Sequence, residues 1–468
     1  MSLMVSISGI RGVVGESLTP EVVVNYASAF GEYCKARHSP APEVILGRDG
    51  RITGTMLSNI ISSTLLSTGV RVRMLGICPT PTVALAVERS GAAGGICVTA
   101  SHNPMEWNGL KFFAPTGMFL DGEENRELWA LADSGRRRYV RWDQLGQCIT
   151  DSSWIRKHLD SVLALPYIEQ NRVRQRRYKV VVDCVNAAGG AIMPTLLGEL
   201  GCEVLQMNCD LSGVFAHTPE PLPENLSGLA ERVTSSQADL GIAVDPDADR
   251  LVFVTEKGEP FGEEYTLASV VKFILERERP RGHQPLNVVV NLSTTRAIDD
   301  IAVSYGATVV RTPVGEIHVA KRMKQIGAVI GGEGNGGVIL PALHLGRDAI
   351  VGVALFLQQL AEFEGRASEL KATLPQYAIA KGKVLLGGTP PDQILAHIRE
   401  SAGLSGKVNT EDGLKLDFPD HWVHLRKSNT EPIIRVIAEA ATMEQAVRTV
   451  ENWKEKIASL SSRAPLVP

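Results

Sequence analysis

The chain has 468 residues, of which 44% are hydrophobic and 21% charged, and its formal net charge is −4 at pH 7. A chain of this length holds about three or four domains, each with its own core, so a small disulfide scaffold is excluded. The composition excludes a disordered or fibrous protein, and the negative charge argues against a nucleic-acid partner.

The seven cysteines form no CxxC pair and their number is odd, so neither a zinc site nor a disulfide framework is indicated. We expect reduced thiols, as in a cytoplasmic protein. No apolar run reaches the roughly 18 residues of a membrane span, and Arg11 interrupts the segment where a signal peptide would be apolar. We therefore predict a cytoplasmic protein with no membrane partner.

A pattern of strand, loop, helix and strand recurs three times along the chain. Strands that alternate with helices predict an α/β fold whose mixed, mostly parallel sheets are covered by helices on both faces. The first strand of each copy begins at Glu43, Lys179 and Asn287, the second at Gly69, Gly201 and Gly306, and the third at Gly94, Leu240 and Gly327.

The pattern changes after Leu370, where a strand "YAIAKGKVLL", a helix, further strands and a last helix from Met443 indicate an α+β tail domain. We therefore predict four domains, over residues 1–150, 151–256, 257–370 and 371–468. Ligands of parallel sheets bind beyond the carboxyl ends of the strands. The loops after the three third strands, together with "RKSNTEP" in the tail, are therefore predicted to face one shared cleft.

The loop of the second repeat, "DPDADR", predicts a magnesium site. Asp245, Asp247 and Asp249 alternate in it, and carboxylate oxygens that converge on one point suit Mg²⁺, which takes water or phosphate in its other positions. An EF-hand is rejected because Arg250 stands where that loop needs glycine and "LVFV" is typical of a strand. The alternative is an acidic turn that is merely solvated.

The loop of the first repeat, "TASHNP", places a hydroxyl beside an imidazole. Ser101 is a poor nucleophile unless its surroundings activate it, and a phosphate on it would complete the Mg²⁺ shell. His102 is either part of this chemistry or a loop side chain bonded to the backbone. Lys111 is either solvated or a base whose pKa nearby cations lower.

The third and fourth loops are suited to a sugar and a phosphate. Glu333 and Asn335 stand among five glycines in "GGEGNGGVI" and offer an acceptor and an amide to sugar hydroxyls. Arg426, Ser428 and Thr430 offer a guanidinium and two hydroxyls, and Arg435 follows on the next strand. Each loop on its own is also consistent with an ordinary turn.

These motifs resemble those of the α-D-phosphohexomutases, the group of phosphoglucomutase, phosphomannomutase and phosphoglucosamine mutase. "TASHNP" with "NGLKFF", "DPDADR", "GEGNGG" and "RKSNTEP" occur in the family's order over essentially the full length. "SGIRG" from Ser8, "GRDGR" from Gly47 and "PTPTV" from Pro79 resemble its first-domain signatures.

The resemblance implies a heart-shaped, four-domain enzyme with a central cleft. It interconverts hexose 1- and 6-phosphates through a phosphoserine at Ser101, with Mg²⁺ on Ser101 and the three aspartates, and glucose 1,6-bisphosphate or a cognate hexose bisphosphate as intermediate. Arg11 and Arg250 are expected to stabilise charge, and Glu333 and Asn335 to hold sugar hydroxyls. The phosphate that does not react is expected to be held by Arg426, Ser428, Asn429, Thr430 and Arg435.

Two positions depart from the family pattern. Asn335 stands where a serine is common, and Gly337 where a histidine is common, so the substrate preference does not follow from the resemblance. We predict that His344 supplies the missing acid–base group, with His318 as its rival and Lys111 as the third possibility.

The predicted substrate is glucosamine, glucose or mannose phosphate, and "SGIRGVVG" with "GEGNGG" looks more like the phosphoglucosamine-mutase and mixed-specificity branches. The predicted protein is a monomer or a dimer. The alternative function is a non-catalytic sugar-phosphate sensor of the same fold, but a sensor needs neither a nucleophile nor a Lewis acid.

Overall fold

The structure, a computed structural model, describes residues 2–38, 42–135, 137–282, 285–387, 389–401, 406–428 and 432–463. Within these ranges no helix has the length and apolar character needed to cross a membrane. All seven cysteines are free thiols.

The first part of the chain forms a seven-stranded sheet with four helices. In chain order these elements are β1 (Met4–Ser6), β2 (Gly9–Val13), α1 (Pro20–Arg37), β3 (Glu43–Arg48), α2 (Gly54–Ser67), β4 (Arg71–Ile77), α3 (Thr80–Ser90), β5 (Gly94–Val98), β6 (Trp107–Phe113), α4 (Gly122–Asp133) and β7 (Cys148–Thr150). The strand order is β1-β2-β6-β5-β3-β4-β7. The last four strands in this order, β5, β3, β4 and β7, are parallel to one another.

The second part forms a four-stranded sheet in the order β11-β10-β8-β9. Its elements are α5 (Trp154–Leu163), α6 (Gln170–Arg176), β8 (Lys179–Asp183), α7 (Met193–Glu199), β9 (Glu203–Met207), α8 (Ser227–Ser236), β10 (Leu240–Val244) and β11 (Leu251–Thr255).

The third part repeats this arrangement in the order β13-β12-β14-β15. Its elements are α9 (Glu263–Glu278), β12 (Asn287–Asn291), α10 (Ala297–Tyr305), β13 (Thr308–Thr312), α11 (Glu316–Ile326), β14 (Ile330–Glu333), β15 (Gly337–Ile339), α12 (Ala349–Phe363) and α13 (Ala367–Ala372).

The tail forms an antiparallel sheet in the order β16-β20-β19-β18-β17, with two helices. Its elements are β16 (Ala378–Leu385), α14 (Pro391–Ser401), β17 (Lys407–Asn409), β18 (Leu414–Asp417), β19 (His421–Lys427), β20 (Ile433–Ala440) and α15 (Met443–Arg463). The predicted class, three α/β repeats followed by an α+β tail, is confirmed. Each sheet lies within one predicted domain, while the domain limits themselves stay predictions.

The three repeats share one topology. In each, the third strand pairs in parallel with the first and then turns back into an antiparallel strand: β5 into β6, β10 into β11, and β14 into β15. The returning strand of the third repeat, β15, was not predicted. Because a strand holds each functional loop at both ends, the loops are fixed relative to their sheets.

The second and third sheets are joined by a continuous hydrophobic core that runs from Leu159 to Leu374. At its centre lies α12, where every residue from Ala349 to Ala361 is buried. The first sheet and the tail sheet have cores of their own.

Candidate active site

The serine loop between β5 and β6 turns its hydroxyl towards the second repeat. Ser101 is 1% exposed, and its φ of 50° lies in the left-handed region that non-glycine residues rarely adopt. Its backbone N–H donates to Thr99 Oγ1 (2.9 Å), and its Oγ donates to Asp245 Oδ2 (2.8 Å). The predicted nucleophile and the predicted metal loop are therefore in direct contact.

Arg51, which the sequence interpretation missed, holds the serine loop in place. Its side chain is fully buried, and Nε pairs with Asp49 Oδ2 at 3.1 Å. The guanidinium donates to four loop carbonyls, those of Ser101 (2.6 Å), Asn103 (2.7 Å), Pro104 (2.6 Å) and Trp107 (2.9 Å). A planar fork with fixed donors suits this task. The second arginine of "GRDGR" was the available signal.

The metal loop follows β10 and brings its three carboxylates together. Asp245, Asp247 and Asp249 are fully buried, and one oxygen of each lies within 4.8 Å of the others. Asp247 Oδ1 and Asp249 Oδ1 are buried with no hydrogen-bond partner among the described residues. Unpaired carboxylate oxygens in a hard donor set fit Mg²⁺, with Ser101 Oγ beside them.

Lys111, on β6, neutralises part of this negative charge. Its Nζ lies 2.6 Å from Asp247 Oδ2 and 3.0 Å from Asp249 Oδ2. Burial acts to lower the pKa of Lys111, but the two carboxylates outweigh it and raise the pKa. The prediction of a base with a lowered pKa is wrong, because the neighbours of this lysine are anions.

The pKa values of the three aspartates move apart. Burial and the other two carboxylates raise the pKa of Asp245. Burial also acts to raise the pKa of Asp247, but Lys111 outweighs it and lowers the pKa. Thr80, in the "PTPTV" signature, adds a hydrogen bond of 2.5 Å to Asp247 Oδ2. The loop is thus stabilised by cations and donors from the first repeat.

Three predicted side chains surround the serine. His102 Nδ1 lies 3.4 Å from Ser101 Oγ, and burial with the nearby Arg250 and Arg11 lowers the pKa of His102 to about 2, so its ring is neutral. Arg11 donates to Asn103 Oδ1 (3.2 Å), and Arg250 pairs with Glu220 Oε1 (3.1 Å).

The sugar loop joins β14 and β15. Glu333 ends β14 and is 3% exposed, and its Oε1 accepts from Asn291 Nδ2 (3.0 Å) and from the N–H of Gly315 (2.9 Å). Asn335 Oδ1 accepts from the N–H of Gly337 (3.2 Å). Arg347, which was not predicted, donates to Glu333 Oε2 (3.0 Å) and to Asp249 Oδ2 (2.7 Å).

His344 does not line the cleft, so the structure does not support its predicted acid–base role. It is 3% exposed, and its Nε2 lies 3.1 Å from Asp348 Oδ2, which is also 2.9 Å from His158 Nε2. Because a carboxylate only accepts, both Nε2 atoms carry the proton. Asp348 Oδ1 caps α12, and His158 Nδ1 lies 2.9 Å from Thr82 Oγ1. The cluster ties three repeats together.

The rival histidine, His318, lies near Glu333 of the sugar loop. It is half-buried in the first turn of α11, and its pKa is lowered by burial against the opposing effects of Asp412 and Glu333. Its acid–base role stays a prediction.

We expect His344→Leu to lower the free energy of unfolding by about 1.5–3 kcal/mol, because a buried hydrogen bond to a carboxylate is lost. Activity is expected to stay within about threefold of wild type with an unchanged pH profile, since His344 does not reach the cleft. Denaturant unfolding and pH–rate measurements check both. If activity falls about 100-fold and one limb of the pH–rate profile disappears, the acid–base role of His344 is supported after all.

A cavity of about 570 Å³ lies between the second repeat, the third repeat and the tail. Glu220, Asn335, Lys381, Arg426 and Arg435 are among the residues that line it. This volume is typical of a small-molecule site. Its basic side chains lie on the tail, opposite the sugar loop.

The tail loop joins β19 and β20, where Arg426 and Arg435 are register partners. Arg426 Nε lies 2.8 Å from Asp412 Oδ2, and the N–H of Ser428 donates to the carbonyl of Ile433 (3.0 Å). The two other predicted residues, Asn429 and Thr430, lie outside the described residues.

The fold and the site define a class of protein: a four-domain α/β enzyme in which a buried serine contacts a carboxylate trio, and a cavity is lined by the sugar loop and by basic side chains of the tail. Family models of all four phosphoglucomutase/phosphomannomutase domains match the chain. The alpha/beta/alpha domains I, II and III match residues 4–138, 156–258 and 263–377, and the C-terminal domain matches residues 384–456. The chain belongs to this family, the α-D-phosphohexomutases.

Curated relatives carry two kinds of name. A phosphoglucomutase/phosphomannomutase of Thermococcus kodakarensis is 40% identical over 95% of this chain and 96% of its own. A probable phosphoglucosamine mutase of Methanopyrus kandleri is 37% identical over 94% of each chain. These names indicate a phosphohexomutase, an isomerase.

Among solved structures, a phosphoglucomutase/phosphomannomutase family protein from Burkholderia thailandensis superposes with a TM-score of 0.85 at 25% identity. The superposition covers 98% of this chain and 99% of that one.

Proposed function

We propose that the protein interconverts hexose 1-phosphates and hexose 6-phosphates and carries the phosphoryl group on Ser101 Oγ. The observation that supports this most is the 2.8 Å contact between Ser101 Oγ and Asp245, beside two unpaired carboxylate oxygens. In the forward step the P–O bond to Ser101 breaks and a P–O bond to a sugar oxygen forms. The proton that the sugar hydroxyl loses balances the one that Ser101 Oγ gains, and the return step uses the other phosphate.

The residues around the serine would each take a share of this reaction. Mg²⁺ on Ser101, Asp245, Asp247 and Asp249 would supply a Lewis acid for the phosphoryl oxygens. The ammonium of Lys111 and the guanidinium groups of Arg11 and Arg250 would stabilise the charge that develops in transfer.

The other two loops would hold the sugar phosphate. Glu333 and Asn335 would bind its hydroxyls in either orientation, while Arg426 and Arg435 hold the phosphate that does not react, together with Ser428, Asn429 and Thr430. His102, which is neutral, would act as a hydrogen-bonding partner of Ser101.

We propose glucosamine, glucose or mannose phosphate as substrate, and a cytoplasmic location. The test is to incubate the protein with Mg²⁺, a trace of glucose 1,6-bisphosphate and each hexose 1-phosphate in turn, N-acetylglucosamine 1-phosphate included. We expect the corresponding 6-phosphate from at least one sugar. If no sugar gives product, the non-catalytic sensor is favoured instead.

Phosphorylation of Ser101 is expected to raise the affinity for Mg²⁺. Lys111 and Arg347 already pair with carboxylates of the metal loop, which weakens its attraction for a cation, and a phosphate adds about 1.5–2 negative charges at pH 7. Calorimetric titration of the phosphorylated and dephosphorylated protein checks this. Equal affinities would contradict a ligand shell shared by Ser101 and the aspartates.

A further inference from the structure

Arg347 occupies the space that a side chain at position 337 would need. Gly337 pairs with Glu333 in the β14–β15 hairpin, and its φ does not lie in the left-handed region. The backbone would therefore accept any residue. A Cβ atom built there, however, would lie 2.2 Å from Arg347 Cδ and 2.9 Å from its Cγ. Arg347 is the main obstacle to a side chain at this position, and Asn335 Oδ1, at 3.0 Å from the same Cβ atom, is a lesser one.

The guanidinium of Arg347 reaches three carboxylates that belong to three different segments. Nε donates to Glu316 Oε2 (3.0 Å), at the start of α11. Nη1 donates to Glu333 Oε2 (3.0 Å) in the sugar loop, and Nη2 to Asp249 Oδ2 (2.7 Å) in the metal loop. Arg347 is only 8% exposed, so these pairs are shielded from solvent.

This arrangement also limits what Glu333 can do. Its Oε1 already accepts from Asn291 and Gly315, and its Oε2 accepts from Arg347. A carboxylate has about four acceptor positions, so one remains for a sugar hydroxyl. The direction of that remaining position depends on where Arg347 holds Oε2.

We infer that Arg347 is a positioning residue. Its side chain lies in the space left free by Gly337, and from there it fixes the sugar-binding carboxylate of Glu333 relative to Asp249 of the metal loop. This inference rests on the proposed function of the two loops. A lysine cannot replace it, because an ammonium lacks the planar fork that reaches three carboxylates at once.

The test is a double-mutant cycle between Gly337→Ala and Arg347→Ala. Gly337→Ala removes no charge but displaces Arg347, so we expect kcat to fall about tenfold or more while KM changes less, by about fivefold at most. In the Arg347→Ala background the methyl group keeps only its 3.0 Å contact with Asn335 Oδ1, and Gly337→Ala should change kcat less than about twofold. Equal effects of Gly337→Ala in both backgrounds would overturn the inference.

Arg347→Lys keeps the charge and decides the question if Arg347→Ala does not fold. We expect its kcat to fall about tenfold or more, again with a smaller change in KM. Arg73→Lys is the matched control, since Arg73 also pairs with two carboxylates, Glu43 and Asp151, at the other end of the first sheet, and wild-type activity is expected. Arg347→Lys with wild-type kcat would overturn the inference.

A binding measurement separates this inference from the proposed function. In a Ser101→Ala background, calorimetry with glucose 1,6-bisphosphate as probe should show affinity weakened about fivefold by Gly337→Ala and by Arg347→Lys. A purely structural ion pair would lower thermal stability and leave this affinity unchanged, which would overturn the positioning role. If wild type binds the probe but turns over no hexose phosphate, the proposed function fails while the binding result still decides the role of Arg347.

Discussion

Replacing Ser101 by alanine is expected to lower mutase turnover by at least about 10⁴-fold, because the residue that carries the phosphoryl group loses its oxygen. The free energy of unfolding should change by less than about 2 kcal/mol, since one hydrogen bond to Asp245 is lost. Turnover assays and denaturant unfolding check the two parts. Phosphopeptide mapping of wild type should place the phosphate on Ser101.

Two further variants control this experiment. Ser101→Gly also removes the hydroxyl. Because glycine adopts the φ of 50° at this position without steric cost, the inactivity of this variant cannot be assigned to backbone strain. Ser58→Ala removes a buried hydroxyl on α2 and should leave turnover and phosphorylation at wild-type values. Phosphate mapped to a residue other than Ser101 would contradict the proposal.

Replacing Arg51 by methionine is expected to have the second-largest effect. The substitution leaves Asp49 as a buried charge without its partner and frees four carbonyls of the serine loop, so the free energy of unfolding should fall by about 3–5 kcal/mol. Turnover should fall about 100-fold or more, because Ser101 loses its fixed position. Thermal unfolding and kcat measured on the folded fraction check this.

Arg51→Lys separates charge from geometry. It keeps a cation beside Asp49 but does not span four carbonyls, so we expect it to recover stability more than turnover. Arg73→Lys serves as the surface control in the same sheet. Turnover of Arg51→Lys equal to that of wild type would show that the four loop contacts are dispensable.

Local patterns were sufficient for most of the fold. The runs at Lys179 and Asn287 are β-branched and lie next to turn residues, and they form β8 and β12 in the structure. The returning strand of the third repeat was harder to predict, because β15 has three residues, too few for a periodic signal. The tail loop was predicted with a strand after it, and in the structure β19 and β20 lie on either side of this loop.

The candidate site was predictable where a loop carries its own chemistry. Ser101 and the aspartates were found because hydroxyls and alternating carboxylates are visible in the sequence. Arg347 was missed because it lies ten residues beyond Gly337, and only tertiary packing brings it to Glu333 and Asp249. The buried position of His344 was not predictable either. It depends on Asp348, four residues away, and through Asp348 on His158, which is 190 residues from Asp348 along the chain.

The core shared by the second and third sheets determines which parts of the site unfold together. The metal loop and the sugar loop extend from β10 and β14. Leu240, Ile242 and Val244 of β10 and Ile330 of β14 belong to that one core, so both loops are part of a single cooperative unit. Ser101 and Arg426 are carried by sheets whose main cores are separate, and a smaller cluster packs the first sheet against Trp154 and Ile317. Amide hydrogens of β10 and β14 should therefore exchange by the same opening. Local opening of the first sheet or of the tail, in contrast, separates the serine loop or the phosphate loop from Asp249 and Glu333, which stay joined through Arg347.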